Sequence, residues 1–127
     1  MTIGSNVYDH PNYIQTRFLQ LTGHGPTASV VSAAFTAPVN LKLYRVYATA
    51  LIAGTTSTDT YTIRQNTTSI GLLTLADSAA LFSVSADLAG VAITAGDEVN
   101  FLKGTDATGV AGFLVEFKID PGQALSY

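Results

Sequence analysis

Val110-Ala111-Gly112-Phe113-Leu114-Val115-Glu116-Phe117-Lys118-Ile119 decides the fold class. Phe113, Val115, Phe117 and Ile119 fall at every second position, with Leu114, Glu116 and Lys118 between them. An extended strand sends alternate side chains to opposite faces, whereas a helix repeats its apolar face over a longer period. The first set is therefore predicted to face a core and the second to face out, on a strand buried along one side.

Upstream, the same alternation returns in short runs separated by turn residues. Ala95-Gly96-Asp97 is a tight turn into a strand at Glu98–Lys103, and a loop at 104–109 follows. Short separate strands are predicted at 81–85 and 90–94, with a helical turn or loop at 76–80. Asn66-Thr67-Thr68-Ser69 turns the chain between strands at 60–65 and 70–75. In the first of these, Tyr61 and Ile63 share one side and Thr62 and Arg64 the other; residues 54–59 are a loop. The longest run, 41–53, changes phase near Tyr44-Arg45. Leu41 and Leu43 lie on one face, while Val46, Ala48, Ala50 and Ile52 continue on the other. Such a flip marks a β-bulge or a strand crossing between sheets.

Strands at 30–36 and Arg17–Thr22 complete the set, the latter ended by Gly23-His24-Gly25-Pro26. No helical period outlasts a turn and no repeat is visible. About eight short strands at this spacing predict an all-β fold, an antiparallel, jelly-roll-like β-sandwich. The sandwich is expected over 15–120, with an extended N-terminal arm over 1–14 and a C-terminal tail over 121–127. The arm lacks periodicity and holds Pro11, yet carries Tyr8 and Tyr13, aromatics that either fold back on the domain or dock elsewhere.

Composition narrows the function. The 127 residues include no cysteine and no tryptophan, only two histidines, and 12% charged residues, with a net charge of −3. Disulfides, thiolate catalysis and cysteine zinc sites are excluded. The basic cluster that marks a nucleic-acid binder is missing. No secretory leader and no membrane-spanning helix is expected from the pattern. A surface so poor in charge suits a protein packed against neighbours, so a homo-oligomer is expected.

The reactive groups are sparse. His10 and His24 read as loop residues, or with Asp9 as the start of a metal site. Asp59, Asp77, Asp87, Asp97, Asp106 and Asp120 sit beside turn residues, where a carboxylate bonds the nearby backbone. Glu98 and Glu116 are the one strand-borne carboxylate pair that suggests hydrolysis, with Lys103 or Lys118 placed to neutralise them across a sheet. Tyr44, Tyr47 and Tyr61 are candidate sugar-stacking aromatics, or else core. Enzymatic activity is not expected and no cofactor is implied.

Phe35-Thr36-Ala37-Pro38 ahead of a long apolar strand, Ile70-Gly71-Leu72, the run Val91-Ala92-Ile93-Thr94-Ala95-Gly96-Asp97-Glu98-Val99-Asn100-Phe101, and the closing Gly112-Phe113-Leu114-Val115-Glu116-Phe117 together form a pattern. It resembles small β-sandwich proteins of tailed-bacteriophage virions, the capsid decoration or cement proteins and related jelly-roll domains of heads and tail fibres. The resemblance spans about residues 30–119. It implies a structural virion protein on the capsid surface, assembled in the host cytoplasm, often trimeric, whose terminal arms clamp the major capsid protein. Carried to this chain, the partner contacts would be Tyr8, His10 and Tyr13 in the arm and Leu125 and Tyr127 in the tail. The alternative is a tail-fibre or carbohydrate- or receptor-binding module.

Overall fold

The computed structural model of the chain describes residues 16–23, 30–52, 59–75, 83–104 and 109–120. The expected arm, the tail and the segment 76–80 lie outside them. Eight strands run in order: β1 Arg17–Thr22, β2 Val31–Thr36, β3 Leu41–Ile52, β4 Asp59–Gln65, β5 Thr68–Leu75, β6 Ser83–Ile93, β7 Glu98–Lys103 and β8 Val110–Ile119. They form two four-stranded sheets, ordered β1-β8-β3-β6 and β2-β7-β4-β5. Every pairing is antiparallel. Successive strands pass from one sheet to the other, except at the β4–β5 hairpin. This rolled-up order makes the sandwich a jelly roll.

The inward residues of β8 behave as their spacing predicts. Phe113 and Val115 are buried, and Phe117 and Ile119 pack half-buried against the same core. Phe113 is the centre of an aromatic cluster. It stacks on Phe101 at 4.3 Å between centroids and meets Tyr61 edge-on at 5.1 Å. Such pairs add to the area they bury, because ring edges carry positive and faces negative charge.

The phase flip in β3 is a bulge, not a sheet crossing. Both ladders of β3 shift register between Leu43 and Arg45. The extra residue turns the second half of the strand over, so Leu41, Leu43, Val46, Ala48 and Ala50 all reach one core. Ile52 does not follow them. A second shift between Ala50 and Ile52 leaves it exposed.

The strands expected at 81–85 and 90–94 are one continuous β6. Ala89 and Gly90 have φ of 54° and 76°, and the Asp87 carboxylate accepts the Ala89 N–H at 2.8 Å. These left-handed residues bulge the strand opposite Tyr44 without ending it. The bulge delivers Leu88 inward onto Gly71 of β5, where a glycine Cβ would stand 2.7 Å from a Leu88 methyl. Leu88 thereby seals the gap between the β5 and β6 edges.

The turn ahead of β7 staples one end of the sandwich. The Asp97 carboxylate accepts the Gln65 and Asn66 side-chain amides and the Thr94 N–H. Gly96 N–H donates to Ala37 O, and Asn40 Oδ1 accepts the Ala95 N–H. Three chain reversals are thus tied to one another, which explains the Ala95-Gly96-Asp97 pattern as a structural device.

Candidate functional site

Several polar groups of the described residues serve the fold. Hydrogen bonds from Gln65 and then Asn66 hold the Asp97 carboxyl below the usual range. Asn100, buried on the face of β7 away from the core, donates to Glu98 Oε1 and Asn66 O and accepts from Arg64 Nε at 2.7 Å. Arg45 and Asp87 pair at 3.5 Å on exposed surface, where such pairs contribute little.

Lys103 departs most from its sequence reading. It does not cross to Glu98 or Glu116; it is buried at the other end of β7, with its ammonium donating to Gly109 O and lying 5.8 Å from the Tyr61 ring centroid. Burial pushes its pKa down and Asp59 partly offsets this. Asp59, read as a loop residue, is buried at the start of β4 and accepts the Gly109 N–H at 2.9 Å. Burial, and then the Asp59 charge, raise the Tyr61 phenol to about 12. Tyr61 is therefore core and not a sugar platform. Its hydroxyl and the Ser32 hydroxyl are buried with no hydrogen-bond partner among the described residues.

The Glu98 and Glu116 pair comes apart. Glu98 lies on the outer face of one sheet and Glu116 on that of the other, since each alternates with core residues of its own strand. Carboxylates on opposite sides of a sandwich cannot flank one bond. Lys118 covers Tyr44, 5.2 Å from the ring centroid. Among the described residues no cluster of three or more histidines or carboxylates has the makings of a metal site.

Two surface hollows are lined by described residues. The first, about 420 Å³, opens between the sheets on the side opposite Leu88. Arg17 and Leu19 of β1 line it with Phe35 of β2, Pro38 and Val39 of the following turn, and Phe117 and Ile119 of β8. Val30, Val31 and Val39 stand exposed along this side, and Phe18 on the outer face of the β1 edge. The second, about 440 Å³, is a depression on the outer face of the β1-β8-β3-β6 sheet, around Gly112, with Tyr47, Gln20, Thr49, Leu51 and Leu114 about it. The missing side chain of Gly112 makes this floor.

Of the residues expected to contact a partner, Tyr8, His10, Tyr13, Leu125 and Tyr127 lie outside the described residues. The hollows were not legible in sequence, because each is assembled from strands far apart in the chain. No known family model matches the chain, and no curated protein matches it either.

Proposed function

We propose that the chain is a structural protein of a tailed-bacteriophage virion, a capsid decoration protein that binds and stabilises the major capsid protein lattice. The observation that carries this reading is the open side of the jelly roll. There an apolar groove and the edges of β1 and β2 face outward, with Arg17 of β1 and Ile119 of β8 in the groove's lining. A clamp of this kind works through area and many weak contacts, not through a few activated groups. The arm, with Tyr8, His10 and Tyr13, is long enough to reach a neighbouring subunit, because an extended chain of that length covers up to about 45–50 Å. A homotrimer suits the low charge, since closed symmetry buries apolar sides and leaves termini free.

The test is co-sedimentation of the purified protein with capsids of the phage that carries its gene. Binding that is lost on removing residues 2–13, with the melting temperature kept, supports the clamp. An intact chain that stays in the supernatant sinks it.

The second reading, a carbohydrate- or receptor-binding module, is favoured by the Gly112 depression. A ring platform beside an amide and a hydroxyl is the chemistry that holds a pyranose. A Cβ at Gly112 would approach nothing closer than Leu51 Cδ1 at 3.5 Å, so Gly112→Ala fills the floor without strain. Glycan-array binding that Gly112→Ala and Tyr47→Ala both abolish would establish it.

A further inference from the structure

The groove at the Ile119 end is a slot cut into the edge of the core. Leu41 is buried, and Leu19, Phe35, Phe117 and Ile119 pack against the core from the two sheets while they line the slot. Packed sheets lie about 10 Å apart, a single layer of interleaved side chains. What enters between them is therefore as thin as a side chain, and a folded surface is too thick. One lining residue breaks the apolar pattern. Leu19 and Leu21 point inward along β1, and Arg17 opens the same row, directly across the ladder from Phe117. Opposed residues of an antiparallel pair share a face, so Arg17 stands beside Phe117 on the inner side, with its Nε buried. An arginine turned inward is a rare choice, since its stem packs well but its head keeps a charge. Thr36 supplies the other polar side chain of the lining.

We propose that the slot binds a single-chain anionic amphiphile, a medium-chain carboxylate, with its hydrocarbon between the sheets and its head group on Arg17. The volume of about 420 Å³ lies within the range of about 300–1,000 Å³ in which proteins hold small ligands. Apolar walls with a few polar groups to set direction are the usual make-up of such a site. Covering these walls takes apolar surface out of water, which favours a hydrocarbon chain over a sugar. The charge decides the head. Arg17 is the one charged residue of the lining, and a guanidinium presents a planar fork of N–H donors. That fork takes a carboxylate bidentately, alongside the bonds Arg17 makes within the chain. The inference concerns the free chain and stands apart from the capsid reading.

Sodium decanoate, kept below the concentration at which it forms micelles, is the probe, and decyltrimethylammonium carries the same chain on a cationic head. Each is titrated into the isotope-labelled full chain at pH 8 and followed by amide NMR, with circular dichroism confirming the fold of every variant. Decanoate should shift Leu19, Phe35, Val39, Phe117 and Ile119 saturably, and the cation should bind more weakly. Arg17→Gln should weaken decanoate about tenfold, the scale of a lost charge-assisted hydrogen bond, and leave the cation's affinity no lower. Val39→Trp, at an exposed position of the lining, should fill the slot and abolish binding of both. Should Arg17→Gln not fold, the two head groups compared in the parent chain decide the same point. The proposal is overturned by a cation bound as tightly as decanoate, or by Arg17→Gln binding decanoate as the parent does. Saturable shifts confined to other residues, or no saturable shift at all, overturn it as well.

Discussion

The two sides of this sandwich are closed by different means. Between β5 and β6, a bulged strand turns Leu88 down onto Gly71, and the sheets meet over a side chain fitted to a missing one. Between β1 and β2 the sheets close at one end, where a Cβ at Gly23 would stand 2.7 Å from Ser32 Oγ, and at the other end the described residues leave a groove of about 420 Å³ with Val39 exposed in its lining. One side is finished by the residues of the roll itself. The other carries an apolar groove at its Ile119 end. Of the four described residues with positive φ, Ala89 and Gly90 form the bulge on the closed side, while Asn66 and Gly96 sit in turns.

The largest effect that sharpens this contrast is Leu88→Ala. It empties the seal on the closed side and should cost about 2–5 kcal/mol, the usual range for losing a buried leucine. Phe117→Ala on the open side removes a larger side chain, yet Phe117 is only half-buried. It should cost about half of the 3–5 kcal/mol expected for a fully buried phenylalanine. Urea unfolding of both variants checks the order. If Phe117→Ala proves the more damaging, the open side is as consolidated as the closed one and the contrast fails.

What the sequence showed follows from range. The bulge in β3 is legible because its apolar residues keep their period on either side of the slip. β6 reads as two strands because Asp87, Ala89 and Gly90 have the chemistry of a turn, and only the ladder to β3 carries the strand through them. Lys103 is legible only as a charge. The groups that take it inside, Gly109, Asp59 and the Tyr61 ring, come together through the pairing of β4 with β7. Likewise the Asp97 staple is half-visible as a turn, whereas its bonds to Gln65 and Asn66 are long-range. The candidate grooves escape altogether, since no single segment contains either.

The core between the two sides gives a third, smaller effect. Tyr61 buries a hydroxyl with no partner among the described residues, so Tyr61→Phe should raise stability by about 1 kcal/mol, the lower end of the cost of an unsatisfied group. The same change alters the pH dependence. The folded phenol titrates near 12 and the unfolded one near 10, so between these values the unfolded chain has lost a proton that the native state keeps. Stability must fall as pH rises through that window, and Tyr61→Phe should remove that component. Lys103 acts in the opposite sense. Its folded pKa lies below the usual 10.5, so from that depressed value up to 10.5 the unfolded chain holds the extra proton and stability rises with pH. Stability measured against pH in Lys103→Met should lack that rise. A wild-type curve already falling throughout the approach to pH 10 would contradict the buried ammonium.

The smallest effect on stability tests what the open side is for. Val31 and Phe18 are exposed, 38% and 56% respectively, at the edges of the two sheets. Charging them as Val31→Lys and Phe18→Lys removes no buried contact, so each should change unfolding free energy by no more than about 0.5 kcal/mol. Leu72→Lys, on the outer face of β5 and 58% exposed, is the matched change on the closed side. An uncharged edge strand is a template for another chain, and a lysine placed there is the means by which natural sheets prevent pairing. If the open side is the surface that joins copies into a trimer, sedimentation should show Val31→Lys and Phe18→Lys falling to monomer while Leu72→Lys keeps the parent mass. Three variants of equal stability would then differ only in assembly, which no argument from the core can produce. If all three keep the parent mass, the edges of β1 and β2 do not join copies, and a trimer would have to form through another surface.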